Sequence, residues 1–332
     1  MLYNKYSVSS GTNCDVDEDG TRQKKRVVTE QCTESQQPTS LLLERKHPLF
    51  CSRRLDPQNL TVIRPPSFSL SATISGLKIL VAYRDLLYAL TVFRLVVRYK
   101  QSMLGWVWAV LQPLAMILVY TLIFSRVARV STDGVPYPLF VFSGLLPWIF
   151  FSSAISNAMN GLVAHSTLLT KLYFPREIIP LSYVFAALVD FAIASVILGG
   201  LMVYYRVPFS WNILYALPVI AILIAFTSAI ALFLSSIQVR FRDVAAALPV
   251  LLQAGVFAIP VVYSVGSVPV RFQRLYLLNP VASLIGSFRS VVLHGSAPDA
   301  QAFIVAGAIT ICCLVLAYGF FKVTESTMVD EI

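Results

Sequence analysis

The chain has 332 residues, of which 57% are hydrophobic and 13% are charged, and its formal net charge is +9. Soluble domains carry about 25% charged residues, so this composition excludes an ordinary soluble protein. The apolar residues are gathered into runs of roughly 20, the length that crosses a bilayer as a helix, which indicates an all-α polytopic membrane protein. The surplus of basic residues lies mainly before the first apolar run and forms no dense patch interleaved with aromatic residues, so nucleic-acid binding is not expected.

Residues 1–70 are rich in Ser, Thr, Gln and charged residues. This composition is typical of a disordered polar tail. No apolar segment follows the first Met, so a signal peptide is not predicted. The stretch Asp15–Gly20 matches the first half of a calcium loop, but Arg26 stands where that loop needs a bidentate Glu, so a solvated acidic cluster is the better interpretation. The five cysteines and three histidines are scattered without a CxxC spacing, so no metal or redox site is predicted.

Residues 83–103 are predicted to form the first helix. At 100° per residue, a mostly basic set of side chains falls on one face: Arg84, Thr91, Arg94, Arg98, Gln101 and Ser102. A helix with a basic face suits the membrane interface. The alternative is a helix that packs on the protein's own spans, and both can hold together.

Six apolar runs follow, each close to the length of a membrane span. They cover residues 106–125, 138–158, 178–204, 213–236, 244–263 and 302–321. Between the fifth and sixth runs, residues 279–295 have apolar side chains at helical spacing but are too short to cross a bilayer. This predicts short re-entrant helices between the last two spans.

Six spans place both termini on one side of the membrane. The loops on the N-terminal side carry more Lys and Arg than the opposite loops, which predicts that both termini are cytoplasmic. The segment 171–180, KLYFPREIIP, then faces the cytoplasm. Its two prolines predict a short rigid corner before the third span. Three charged side chains and one aromatic anchor are expected to project there as a docking surface: Lys171, Arg176, Glu177 and Phe174.

Several chemistries are absent from the sequence. No GxxxxGK[ST] motif is present, so the chain has no phosphate-binding loop, and no paired carboxylates or Ser/His/Asp set is recognisable. If the protein works against a gradient, its energy must come from an ion gradient or from a partner. Asp190 is the one acid deep inside a predicted span, and both proton coupling and a structural hydrogen bond to a neighbouring helix are interpretations of it.

Aromatic residues near the span ends fit an interfacial belt or a stacking surface for sugar rings.

Four stretches, taken in order, share the pattern of a known family: VRYKQSMLGWVWAVLQPL, GLLPWIFFSSAI, LLTKLYFPREIIPLSYVFAALVDF, and a last one that runs from QVRFRDVAAALPVLLQ through PVVYSV to YLLNPVASLIGSFRSVVLHG. Over residues 80–325 the chain resembles the permease subunit of an ABC-2 type exporter, in the branch that exports polysaccharides such as O-antigen, capsule or teichoic-acid polymers. The polar N-terminal tail is longer than this resemblance requires, and its function stays open.

The resemblance implies a homodimer of six-span subunits in the inner membrane, paired with two copies of a separate ATPase. ATP and Mg²⁺ would bind the ATPase, so this chain would carry no cofactor and would not be an enzyme. The substrate would be a lipid-linked glycan whose identity the sequence does not reveal. The alternatives are a gradient-driven carrier, a membrane-bound transferase and an ABC-2 exporter of another amphiphile.

The resemblance also implies roles for particular residues. ATPase coupling is assigned to Lys171, Phe174, Pro175, Arg176 and Glu177. The interface helix, where the substrate enters, carries Arg84, Arg94, Arg98, Tyr99 and Lys100, and its arginines are hypothesised to meet the pyrophosphate of the lipid carrier. The candidates for lining the channel are Trp148, Phe150, Phe151 and Tyr263. The external re-entrant region holds Asn279, Pro280, Phe288 and Arg289.

Overall fold

The computed structural model of the chain describes residues 81–100, 105, 107–127, 134–171, 174–263, 266, 269, 271, 273, 276, 278–325 and 328. These residues belong to one compact unit, residues 62–332. No strand occurs among them and most lie in helices, which confirms the all-α prediction. The predicted tail, residues 1–70, lies outside the described residues.

The bounds of ten helices and one turn are given by the described residues. In chain order they are α1 Arg84–Lys100, α2 Val107–Thr121 continued by a π-helix Leu122–Val127, α3 Tyr137–Ala164, α4 Ser166–Lys171, α5 Ile178–Tyr204, a 3₁₀ turn Trp211–Tyr215, α6 Ala216–Arg240, α7 Val244–Ala258, α8 Pro280–His294 and α9 Ala300–Glu325.

Four helices in the described part of the chain are long and apolar enough to cross a membrane: α3, α5, α6 with its preceding 3₁₀ turn, and α9. They coincide with the second, third, fourth and sixth predicted spans. The first and fifth predicted spans correspond to the shorter apolar helices Val110–Phe124 and Val244–Ala258. Six crossings therefore remain a prediction, of which four have helices of full length.

The fifth predicted span ends early at a proline. Ile259, which directly follows α7, has the extended backbone angles φ −101° and ψ 144°. The residue before a proline is driven out of the helical region, and Pro260 comes next. Helix α7 therefore stops at Ala258, and the chain continues in a non-helical conformation to residue 263.

Helix α3 is the centre of the fold. In its most apolar window 78% of the residues are buried, against 22% to 44% in the other three long helices. It packs against α2, α5, α6, α7 and α8. Trp148 of α3 comes so close to α7 that a Cβ on Gly255 would lie 2.6 Å from the indole ring. Protein therefore surrounds α3, whereas the other long helices leave sides that lipid or a second chain would cover.

Helix α8 confirms that residues 279–295 contain a helix. The side chain of Asn279 accepts a hydrogen bond from the Val281 N–H at 3.1 Å and caps the helix, and Pro280 occupies the first position, which needs no N–H donor. Gly295 ends the helix in the left-handed conformation, at φ 58°. Most of α8 is buried against α3, α6 and α9.

Candidate functional site

The corner between α4 and α5 is a short turn, residues 174–177, that leads directly into α5. The first two N–H groups of α5 donate to the carbonyls of Pro175 and Arg176, each at 3.2 Å. Pro180 lies within the first turn of α5, where N–H groups have no partner in the helix, so it does not interrupt the helix. The corner is thus continuous with the long helix that follows it.

Glu177 turns inward from this corner. Its residue is 0% exposed, and its carboxylate meets Lys322 Nζ of α9 at 2.9 Å. The Tyr318 hydroxyl donates to the same carboxylate at 3.4 Å. The expectation that Glu177 projects into the cytoplasm is therefore wrong. A buried carboxylate requires a counter-charge, and Lys322 supplies it from the last helix.

Arg176 of the corner also contacts α9. Arg176 donates from Nη1 to the backbone carbonyl of Glu325, and Glu325 accepts from Lys322 Nζ at 2.8 Å. Phe174 is half-buried and packs at the edge of an apolar cluster. Lys171 is the last residue of α4. Arg176 and Glu177 thus connect the corner to the end of α9.

The apolar cluster beneath the corner joins five helices. It contains Leu162, Leu169, Ile179, Leu232, Val239, Tyr318, Phe321 and Met328, which come from α3, α4, α5, α6, α9 and the residues just after α9. Phe321 and Met328 are 0% exposed. This end of the molecule, called the corner end below, is therefore closely packed around the Glu177–Lys322 ion pair.

Helix α1 lies along α5 and buries Thr91, Leu95 and Tyr99. Its outward side is apolar, with Tyr88 and Phe93 more than half exposed. Arg84 and Lys100 are exposed, and Arg84 lies 3.7 Å from Asp85, which is also exposed. Gln101 and Ser102 of the predicted basic face lie outside the described residues.

Arg94 is bound by two side chains of α5 and by His165, which directly follows α3. Its Nε donates to Ser182 Oγ at 2.7 Å, its Nη1 lies 3.0 Å from His165 Nε2, and its guanidinium stacks on the Tyr183 ring at 3.3 Å. Burial lowers the pKa of Arg94 from its usual value. Burial, and then the charge of Arg94, lower the pKa of His165. Because arginine only donates, this contact requires a neutral His165 with a free lone pair on Nε2.

Arg98 and Tyr99 both bind Asp190 of α5. Arg98 Nη1 forms an ion pair with Oδ2, and the Tyr99 hydroxyl donates to Oδ1 at 2.8 Å. Burial, and then this hydrogen bond, raise the pKa of Tyr99 to about 12. Of the two interpretations of Asp190, the structure supports the hydrogen bond to a neighbouring helix, which is α1.

A cavity of about 480 Å³ lies beside this ion pair, between α1, α2, α3 and α5. Its polar lining consists of Arg98, Tyr99, Gln112, Ser153, Asn157 and Asp190, and its aromatic lining of Trp108, Phe142, Phe150 and Phe191. Hydroxyl, amide and charged groups next to ring faces are the surroundings in which sugars bind well.

The aromatic residues predicted to line a channel lie in different surroundings. Phe150 lines the cavity just described. Trp148 and Phe151 pack in the core with their rings 5.8 Å apart, and Phe151 stacks on Phe226 of α6 at 6.0 Å. The Tyr263 hydroxyl lies 3.0 Å from that of Tyr276. None of these three residues lines the cavity beside Asp190, and their channel role stays a prediction.

Arg289 of α8 anchors the end of the molecule opposite the corner. The residue is 7% exposed, and it donates to the carbonyls of Pro260 at 3.3 Å and Val261 at 2.6 Å. Its guanidinium lies 3.9 Å from the centre of the Phe140 ring. These two carbonyls belong to the non-helical stretch after α7, and Arg289 gives them hydrogen-bond partners inside the protein. Phe288, the neighbouring predicted residue, packs edge-on against Phe191 at 6.1 Å.

Sequence reasoning missed the partners of these residues. Lys322, Tyr318 and Glu325 lie some 145 residues from the corner, and His165, Ser182 and Tyr183 likewise surround Arg94 from distant positions. The i, i+3 spacing of Lys322 and Glu325 indicated that the two could pair on one helix face. Nothing nearby in the sequence indicated that they also contact Glu177 and Arg176. Within the described ranges, no group of three or more His, Cys, Asp and Glu side chains could hold a metal ion.

In its described part, the chain has the features of an all-helical, multi-pass membrane protein with charged groups near the ends of its helices. Comparison with known proteins then gives the family. The family model for the ABC-2 type transporter matches residues 85–293. This chain belongs to the ABC-2 type transporter family, as the resemblance implied.

Relatives match over most of their length. The chain is similar to the O-antigen export system permease protein RfbA of Myxococcus xanthus, at 32% identity over 255 residues that cover 75% of this chain and 96% of that protein. A permease of the same name from Klebsiella pneumoniae is 34% identical over 64% of this chain and 81% of its own length. The polysialic acid transport protein KpsM of Escherichia coli is 24% identical over 70% of this chain and 91% of its own length.

Proposed function

We infer that this chain is the permease subunit of an exporter that moves a lipid-linked polysaccharide across the inner membrane, driven by ATP. The observation that carries the proposal is the match to a relative named as an O-antigen export permease over 96% of that relative's length. A second relative is named as a polysialic acid transporter, which supports glycans as the substrate class.

A separate ATPase supplies the energy in this proposal. The chain has no GxxxxGK[ST] motif with which to bind ATP and Mg²⁺ itself. Asp190, the one acid considered for proton coupling, is bound by Arg98 and Tyr99. Both observations favour a partner ATPase over an ion gradient.

The corner is the proposed docking site for the ATPase. Lys171, Phe174, Pro175 and Arg176 would offer the surface, while the buried Glu177 would hold the corner's shape from inside. The contacts of the corner support this docking site. The corner leads into α5 and also binds α9, so a displacement of the corner would act on two long helices.

The substrate would enter beside α1. Arg84, whose partner Asp85 is itself exposed, and the exposed Lys100 would be accessible to the pyrophosphate of a lipid carrier. Arg94 and Arg98 already bind groups of α5, and Arg94 also contacts His165. The adjoining cavity offers hydroxyl, amide and aromatic groups to the first sugars of a glycan. The apolar outer side of α1 suits the membrane interface.

Six crossings and a homodimer are part of the proposal. Helix α7 leaves the corner end after α6, and the chain reaches Arg289 at the opposite end through Pro260 and Val261, which supports a crossing by α7 and its extended continuation. Large apolar residues of α2 and α7, including Leu118, Val250 and Leu251, are exposed in the single chain, and a second copy would cover them. Cytoplasmic termini would follow from six crossings with the basic flank inside.

A genetic and biochemical experiment tests the proposal. Deleting the gene is expected to abolish a surface polysaccharide and to make its lipid-linked precursor accumulate inside the cell, and the wild-type chain should restore both. The tagged chain, purified in nanodiscs, should retain an ATPase subunit. Unchanged surface glycan, or export that persists without the ATPase, would contradict the proposed function.

A further inference from the structure

The corner and the end of the last helix are joined by three polar contacts across about 145 residues of sequence. Glu177 binds Lys322 and Tyr318, and Arg176 binds the carbonyl of Glu325. We propose that Tyr318, Lys322 and Glu325, called the α9 clamp, belong to the coupling apparatus and make α9 move with the corner as one body. This rests on the proposed function, because it concerns the site where the ATPase docks.

The burial of the ion pair favours a fastening that stays closed. Glu177 is 0% exposed, and the Lys322 side chain is 16% exposed. Separating the two would leave a buried carboxylate without its counter-charge, which is much less favourable than moving the whole unit. Tyr318, with 7% exposure, covers the pair from one side.

The packing around the pair points the same way. Phe321 and Met328 are completely buried in the apolar cluster that also contains Ile179 of α5. The corner is therefore held to α9 by an ion pair set within apolar packing. A displacement of the corner carries the end of α9 with it.

Helix α9 is well placed to pass that displacement on. It packs along α6 for much of its length and against α8 near its start. Ala306 of α9 is 0% exposed, and Ala302 of α9 lines a cavity of about 250 Å³ with Gly286 and Ser290 of α8. A corner that moves with α9 thus has a route to the opposite end of the molecule that does not depend on α5 alone.

The decisive variant removes both charges of the pair: Glu177→Gln with Lys322→Met. Replacing both partners avoids an unpaired buried charge, so the variant should insert into the membrane and keep its ATPase subunit. Polysaccharide exported per ATP hydrolysed, measured in proteoliposomes, is expected to fall about five-fold or more, as when a coupling between two sites is lost. The matched control is Asp85→Asn, which removes a carboxylate whose side chain is 97% exposed, and it should leave this ratio unchanged.

A chemical cross-link gives a second test of the proposal, which does not rely only on correct folding of the double charge variant. Arg176→Cys and Glu325→Cys are introduced after the natural cysteines have been replaced, and a short bifunctional thiol reagent joins them. Because Arg176 belongs to the proposed docking surface, each double-cysteine protein is compared with itself before and after linking. One moving body predicts that the link leaves export at its unlinked level, and that it raises coupling when the same cysteines are placed in the Glu177→Gln, Lys322→Met variant. Export blocked by the link would overturn the proposal, because it would mean that the clamp opens in each cycle.

The outcomes separate this proposal from the proposed function. A wild-type chain that retains no ATPase would overturn both. A wild-type complex that couples ATP hydrolysis to export, together with a double variant that couples equally well, would overturn the α9 clamp alone.

Discussion

Helix α5 carries two charged contacts that differ in burial. At its start, Glu177 and Lys322 have side chains that are 0% and 16% exposed. Further along, Asp190 and Arg98 have side chains that are 26% and 38% exposed. Removing one partner of a buried pair leaves a charge that water cannot reach, whereas water solvates what remains of a half-exposed pair.

The difference assigns the two contacts different mechanical roles. The buried pair joins α5 to the last helix and is suited to remain closed while the protein works. The half-exposed pair joins α5 to α1 beside a cavity, and it can open at a small energetic cost. In the proposed function, the buried pair lies where the ATPase would dock, and the half-exposed pair lies beside the proposed substrate entry.

The largest effect on stability is expected when only one partner of the buried pair, Lys322, is removed. Lys322→Ala should lower the free energy of unfolding by about 3–5 kcal/mol, because Glu177 stays buried without its cation. The measurement is denaturation in mixed micelles. Lys100→Ala, which removes an exposed lysine at the end of α1, is the control and should change the value by less than about 0.5 kcal/mol. Equal effects of the two substitutions would mean that the burial of Glu177 is energetically unimportant.

A second prediction concerns the anchor at the opposite end. Gly144→Ala should lower the free energy of unfolding by about 1–3 kcal/mol, because the new Cβ would collide with the Arg289 guanidinium and lie 2.5 Å from the Val261 carbonyl oxygen. Gly199→Ala is the matched control, since a Cβ there meets nothing within 4 Å. Its greater helix propensity should make that variant neutral or slightly more stable. Similar losses in both variants would show that the Arg289 contacts are not close-packed.

Breaking the half-exposed pair should have a smaller effect. Asp190→Asn is expected to lower the free energy of unfolding by about 1 kcal/mol, since much of the pair is accessible to solvent. The same substitution should increase thiol labelling of a cysteine placed at the buried Leu95 of α1, because α1 loses contacts to α5. A loss as large as that of Lys322→Ala would erase the proposed difference between the two contacts.

The smallest predicted effect depends on pH. Burial and Arg94 lower the pKa of His165, so the folded state binds fewer protons there than the unfolded state. The contribution of His165 to stability is therefore present at neutral pH and lost as the pH falls below about 6.5, the ordinary pKa of histidine. Wild type should lose more thermal stability than His165→Asn between pH 7.5 and pH 5.5. Parallel pH curves for the two proteins would contradict this account of the Arg94 contact.

The sequence predicted the helices better than their contacts. Apolar runs and prolines located α3, α5, α6, α8 and α9, because those signals are local. The end of α7 was placed five residues too late, at 263, although Pro260 offered a local reason for a stop after Ala258. Composition alone predicted the four helices of full span length. It did not predict that the helices of the first and fifth apolar runs, α2 and α7, would be shorter than a span.

The candidate site was only partly predictable. The corner and the basic residues of α1 were recognised as unusual from their composition. Their orientation was not, because Glu177 contacts a lysine far away in sequence, and Arg94 contacts two residues of α5 and His165 at the end of α3. Which charges stay exposed depends on tertiary pairing, and one sequence contains no direct signal of such pairs.

The central claim is that this chain moves a polysaccharide through the membrane with energy from an ATPase partner. Proteoliposomes that contain the chain and its ATPase, loaded outside with the lipid-linked glycan, test it directly through protection of the glycan from an added glycosidase. The account predicts that protection rises with hydrolysable ATP and does not rise with a proton or sodium gradient alone. Protection driven by an ion gradient without ATP would contradict it.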